Sequence, residues 1–120
     1  MAVLVDTSVW LDYFQGGDEA VAMRLHQFLD AGEVVISGLV EFELLQILPA
    51  KDAAMVMQHF EAMDYVLPER VDYHKAAELL RTKAELSSSV CVIAAQAMRL
   101  GLGVFSLDRQ FSEIDGLELM

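Results

Sequence analysis

Val3-Leu4-Val5-Asp6-Thr7-Ser8-Val9-Trp10 is the stretch on which the fold turns. Three apolar residues run into an aspartate, and Thr7-Ser8 follows before the pattern becomes helical. A short continuous apolar run bounded by a polar turn reads as a buried strand. Asp6 then stands at the strand's carboxyl end, where open α/β sheets place their ligands. Thr7 or Ser8 can cap the next helix, whose free N–H groups favour an anion nearby. The plainer reading is that Asp6 only ends the strand and helps the cap. This stretch by itself supports both.

Outward from it, strands alternate with helices. Ala2–Val5 is the first strand, and a short helix runs to about Phe14 before Gln15-Gly16-Gly17 breaks it. Asp18 caps a helix that reaches Asp30 and stops at Ala31-Gly32, with Val21, Leu25, Phe28 and Leu29 as its buried stripe. Glu33–Ser37 is the second strand, Gly38–Leu48 is helical up to Pro49, and Lys51–Met63 is a methionine-rich helix. Tyr65–Pro68 reads as a short third strand and Val71–Leu86 as a long helix. Ser87-Ser88-Ser89 caps a helix over Val90–Leu100 that ends at Gly101. Gly103–Leu107 is a fourth strand running into Asp108, and Leu117–Leu119 a final edge strand. The expected fold is α/β: one domain over residues 1–120, with a central, mostly parallel sheet of four to five strands and helices on both faces.

Composition narrows the function. The net charge of −11 argues against holding nucleic acid by a general basic surface, since phosphate contacts dominate such affinity. It leaves room for an enzyme that meets phosphates through bound metal, and it suits a basic protein partner. No apolar run approaches the ~20 residues that span a bilayer, and no signal-peptide pattern opens the chain, so a cytoplasmic location is expected. The lone Cys91 excludes an internal disulfide and reads as a small buried side chain. An apolar content of 55% in so short a chain points to a homodimer surface.

The acids are the candidates for chemistry, and spacing alone equally supports three unrelated acids among the nineteen. Strands ending at Asp6 and Asp108 would present both carboxylates on one edge of a parallel sheet. The helix after the second strand is apolar almost throughout, from Leu39 to Leu48, and is expected to be buried nearly all round. Yet it carries Glu41 and Glu43, ~200° apart at ~100° per residue, and periodicity does not say which faces the cleft. Clustered oxygen ligands suit Mg²⁺ or Mn²⁺, which activates water and clamps a scissile phosphate. His26, His59 and His74 fall on different helices without metal-ligand spacing, and Trp10 reads as core.

The chain resembles the PIN-domain family, and within it the small VapC-like toxins of toxin–antitoxin pairs. The residues that carry this are Asp6-Thr7-Ser8-Val9-Trp10-Leu11-Asp12, Ile36-Ser37 with Glu43-Leu44-Leu45, Ile93-Ala94-Ala95-Gln96-Ala97, and Ser106-Leu107-Asp108-Arg109-Gln110-Phe111 ahead of Gly116-Leu117-Glu118. The resemblance implies a PIN-like fold and a Mg²⁺- or Mn²⁺-dependent endoribonuclease toxin. Asp6, Glu43 and Asp108 would be its catalytic and metal-binding acids, with Ser8 in support; it thus selects Glu43 over Glu41. It also implies an RNA substrate, a homodimer and an antitoxin whose basic tail enters the acidic cleft. Asp12 is expected to face solvent.

One position departs from the family pattern. Where an aspartate usually precedes Ile-Ala-Ala at the helix start, this chain has Val90, and Ser87, Ser88, Ser89 and Cys91 offer no carboxylate in its place. A site short of that acid should hold metal more loosely. Two functional readings follow: a ribonuclease toxin weakened or inactivated at Val90, or a catalytically silent PIN-like module that works by binding an antitoxin or another partner. A phosphoacceptor receiver domain fits less well, because Lys83 is the last lysine and precedes the final strand.

Overall fold

The computed structural model describes residues 1–120. Its centre is a sheet of four strands, β1 (Val3–Val5), β2 (Val34–Ser37), β3 (Asp64–Val66) and β4 (Gly103–Phe105), in the order β3-β2-β1-β4. Every pairing is parallel. The helices between them are α1 (Thr7–Phe14), α2 (Glu19–Asp30), α3 (Gly38–Ile47), α4 (Ala50–Phe60), α5 (Arg70–Thr82) and α6 (Ser88–Leu100).

The strand order decides where the helices lie. From β1 the chain steps to β2 and then β3 in one direction, so right-handed crossovers stack α1–α4 on one face. The next step returns across the whole sheet to β4, which places α5 and α6 on the other face. The order reverses at β1, between β2 and β4, so residues just past β1 sit at the topological switch point.

Burial follows the sequence pattern with two differences. β1, β2 and β4 are buried along their whole length, as expected of strands covered on both faces. In α6 every residue from Val90 to Ala97 is buried, because that helix lies between the sheet and α5. The first difference is α3, expected to be buried nearly all round: Phe42 is 62% exposed and Ile47 57% exposed. Only one layer of structure covers this helix, so its outer apolar side faces out. The second is the fifth strand, which shrinks to a single bridge between Val104 and Leu119 on the free side of β4. β3 starts at Asp64 and α5 ends at Thr82, four residues short of the expected Leu86, with Leu79's carbonyl accepting from Lys83 N–H at the end.

Local chemistry explains the joints. Gly17 lies against the Asp12 carboxylate, and a Cβ there would overlap it. Asp12 therefore does not simply face solvent: its carboxylate accepts from the Asp18 N–H at 3.1 Å and ties the α1–α2 turn together. Across α5 and α6, Asp72 is 1% exposed and receives two hydrogen bonds from Arg99, at 2.8 and 2.9 Å, plus one from Glu69 N–H. No helix is long and apolar enough to cross a membrane.

Candidate active site

Asp6 is both a cap and a site residue. It, rather than Thr7 or Ser8, is the N-cap of α1, with extended backbone and one carboxylate oxygen, Oδ2, facing the Ser8 N–H. That oxygen also accepts from the Ser8 hydroxyl at 2.8 Å and from the Ser106 hydroxyl at 2.7 Å. Asp6 is only 6% exposed, a cost for a carboxylate that these donors offset.

Sheet register puts Ser106 there. Val5 pairs with Phe105 and the Asp6 N–H donates to the Phe105 carbonyl at 2.9 Å, so Ser106 is level with Asp6 on the adjacent strand. By the same count on the other side, with Val3 opposite Val34, Ser37 is level with Asp6 on β2. Each serine hydroxyl has one proton. Those of Ser8 and Ser106 go to Asp6, and their lone pairs accept from the N–H of Leu107 and of Asp108, both at 2.9 Å. Two serines thus pin the first turn of α1 to the segment after β4.

Glu43 arrives from α3. Its Oε1 accepts from the Thr7 hydroxyl at 2.8 Å, so it lies beside the residue that follows Asp6. Glu41 is on the other side of the helix, near Tyr65; burial first, and the Glu41 charge second, push that phenol's pKa up. The two glutamates face opposite ways, and it is Glu43 that keeps company with the start of α1.

Asp108 stands past the strand rather than at its end, because β4 closes at Phe105. Its Oδ1 accepts from Gln110 N–H at 3.0 Å and caps the 3-10 turn Arg109–Glu113. Val90 is 4% exposed, and its N–H donates to the Ser87 hydroxyl at the start of α6. No three His, Cys, Asp or Glu side chains stand close enough together to hold a metal ion. The structure links Asp6, Ser8, Ser106 and Asp108 in one hydrogen-bonded group and joins Glu43 to Thr7; it does not gather the three acids into one ligand set.

Sequence reasoning missed three contacts at the edge of the site: Thr7, read only as a candidate cap, as the partner of Glu43; Ser106 as the seat of Asp6; and Gln96 as the partner of Ser37. Gln96 is fully buried and accepts from the Ser37 hydroxyl at 2.8 Å, while Ser37 caps α3. Ser106 was read as part of the fourth strand, and nothing in the sequence pairs it with Asp6.

The donor set can be weighed against a divalent cation. It is all oxygen, and one carboxylate oxygen each of Asp6 and Glu43 makes no hydrogen bond within the chain. Mg²⁺ is commonly held by one or two carboxylates together with waters and substrate phosphate. The residues present fit that minimal arrangement and not an all-protein cage.

A PIN domain family profile matches residues 3–117. The chain belongs to the PIN-domain family. No curated protein sequence matches it. Among solved structures, this PIN domain is similar to DNA-bound VapBC from Salmonella typhimurium, with a TM-score of 0.80 at 20% identity, covering 100% of this chain and 97% of that one. VapBC2 from Rickettsia felis, bound to a promoter DNA fragment, gives a TM-score of 0.78 at 13% identity over 100% of this chain and 98% of the other. VapC20 of Mycobacterium tuberculosis, a sarcin–ricin loop cleaving toxin, gives 0.77 at 18% identity over 98% of both. The parallel four-stranded PIN fold is common to all.

Proposed function

We propose that this PIN domain is a metal-dependent endoribonuclease, the toxin of a toxin–antitoxin pair, weakened at Val90. The observation that carries this reading is the placement of Asp6. It is buried at the switch point of a parallel sheet, held on one oxygen by two serines and free on the other, with Glu43 brought beside it through Thr7. Asp6 and Glu43 would hold Mg²⁺ or Mn²⁺, with Asp108 as the third acid. The ion, when bound, lowers the pKa of water and stabilises charge on an RNA phosphodiester. The chain's own part is to fix Asp6 through Ser8 and Ser106 and to orient Glu43. Val90 supplies no lone pair at the mouth of α6.

The partners belong to the same proposal. Solved VapBC relatives are complexes, and a net charge of −11 favours an antitoxin with a basic tail at the acidic edge. The exposed Phe42 and Ile47 on α3 suit a homodimer contact.

The test is calorimetric Mn²⁺ binding by the chain and by Val90→Asp, with RNA cleavage assayed alongside. Cleavage that depends on Asp6 in either form supports the reading; absence of both metal binding and cleavage in both forms defeats it. The second reading, a silent module that acts by binding its partner, is favoured by one observation: no three potential ligands converge. It predicts that Val90→Asp gains nothing.

A further inference from the structure

Next to the acids, on the free side of β4, lies a cavity of about 220 Å³. Its lining includes Phe111, which is packed into the core, the apolar Leu119 and Met120, and the polar Arg109 and Ser112. Ser106, whose hydroxyl donates to Asp6, lines it as well. The cavity and the acidic edge are therefore two sides of one residue.

Size and chemistry restrict what fits. Pockets for drug-sized ligands run from roughly 300 Å³ upward, so this one suits a single flat ring. The apolar lining offers a surface for the ring, and Leu119 is 46% exposed. Arg109 is exposed and makes no ion pair, whereas Arg99 is held by Asp72, Arg24 lies over Phe28 and Phe105, and Lys83 donates to the Glu113 carbonyl. In a chain of net charge −11, a phosphate needs a local cation, and Arg109 is the one directly beside a site acid. Single-stranded RNA is read through bases that leave the stack and lie on aromatic or guanidinium planes, and extruded bases also seat between apolar side chains.

We infer that this cavity is a nucleoside subsite. It seats one base of a single-stranded RNA against Leu119 and Met120, with Arg109 on that nucleotide's phosphate and the neighbouring phosphodiester at Asp6. The inference rests on the nuclease reading for the direction of the strand, but its test does not.

The test is titration of the ¹⁵N-labelled full chain, without metal, with the four nucleoside 5′-monophosphates and with ribose 5-phosphate as a base-free control. Saturable shifts at Ser106–Ser112 and Leu119–Met120 are expected, with the nucleotides binding about fivefold or more tighter than the sugar phosphate. Leu119→Asp should abolish the preference, and Ser112→Tyr, which fills the cavity from the exposed side, should abolish binding in a folded protein. The inference is overturned if nucleotides perturb other residues only, or if sugar phosphate binds as well as they do. The two readings fail separately. Asp6-dependent RNA cleavage with no nucleotide in the cavity removes the subsite and leaves the nuclease. Nucleotides seated in the cavity, with no cleavage even by Val90→Asp, do the reverse.

Discussion

Ser106 donates a 2.7 Å hydrogen bond to Asp6 across two neighbouring parallel strands, from a position 100 residues further along the chain. Hydrogen bonds to charged groups are worth about 1.5–3 kcal/mol, and groups that orient metal ligands often set affinity by about 10–100-fold. Ser106→Ala should therefore lower stability by about 1–2 kcal/mol and weaken Mn²⁺ binding by about tenfold or more, while Ser106→Thr restores both. Urea unfolding and calorimetry on the same preparations measure the two effects.

Val90→Asp should separate stability from metal binding. Val90 is almost fully buried, so an aspartate there costs about 1–3 kcal/mol in the metal-free protein. Bound Mn²⁺ then stabilises the variant more than the parent, because ligand that binds only the folded state adds stability in proportion to its affinity. Melting temperatures with and without Mn²⁺ should cross: the variant lower without it and gaining more with it.

Acid stability should be governed in part by Asp72. The hydrogen bonds from Arg99 hold its carboxyl below the usual carboxylate range, outweighing burial, which pushes the other way. A carboxyl depressed in the folded state contributes stability that is present above its unfolded pKa of about 3.9 and is lost as pH falls through the lower folded value. Asp72→Asn should lower stability at neutral pH and flatten the acid limb of the stability–pH curve by roughly one proton. Denaturant midpoints between about pH 2 and pH 6 test this.

The aromatic pair under α1 gives an asymmetric prediction. Trp10 and Phe60 pack with ring centroids 4.9 Å apart and planes tilted by 57°, and the buried indole N–H has no partner. Trp10→Phe removes an unsatisfied donor together with some volume, so its cost should stay below about 1.5 kcal/mol. Phe60→Ala deletes a ring that is 3% exposed and should cost about 3–5 kcal/mol. Equal losses in the two variants would contradict the role given to the orphaned N–H.

The fold was legible because parallel strands buried on both faces write themselves as short apolar runs: VLV, VVIS and GVF. The Asp18 cap and the Gly101 stop of α6 were equally plain, being the residues those geometries demand. α3 was misread because its residues are apolar all round while its surroundings cover only part of it; periodicity sees the helix and not its neighbours. The separation of Glu41 from Glu43 followed from helical angle, but which of them meets α1 depends on how α3 packs. The partners of Thr7, Ser106 and Gln96 escaped for the same reason. Each acts through a partner on a distant strand or helix, and a hydroxyl or amide announces nothing until register brings its partner near.

The reversal of strand order at β1 has a consequence in time. Asp6 is synthesised before the hydroxyl and the N–H groups that complete its surroundings, which come from residues 106–108, just past a strand that must recross the whole sheet. Until β4 joins β1, Asp6 lacks the Ser106 hydroxyl that seats it. The acidic edge is therefore complete only once β4 has docked against β1.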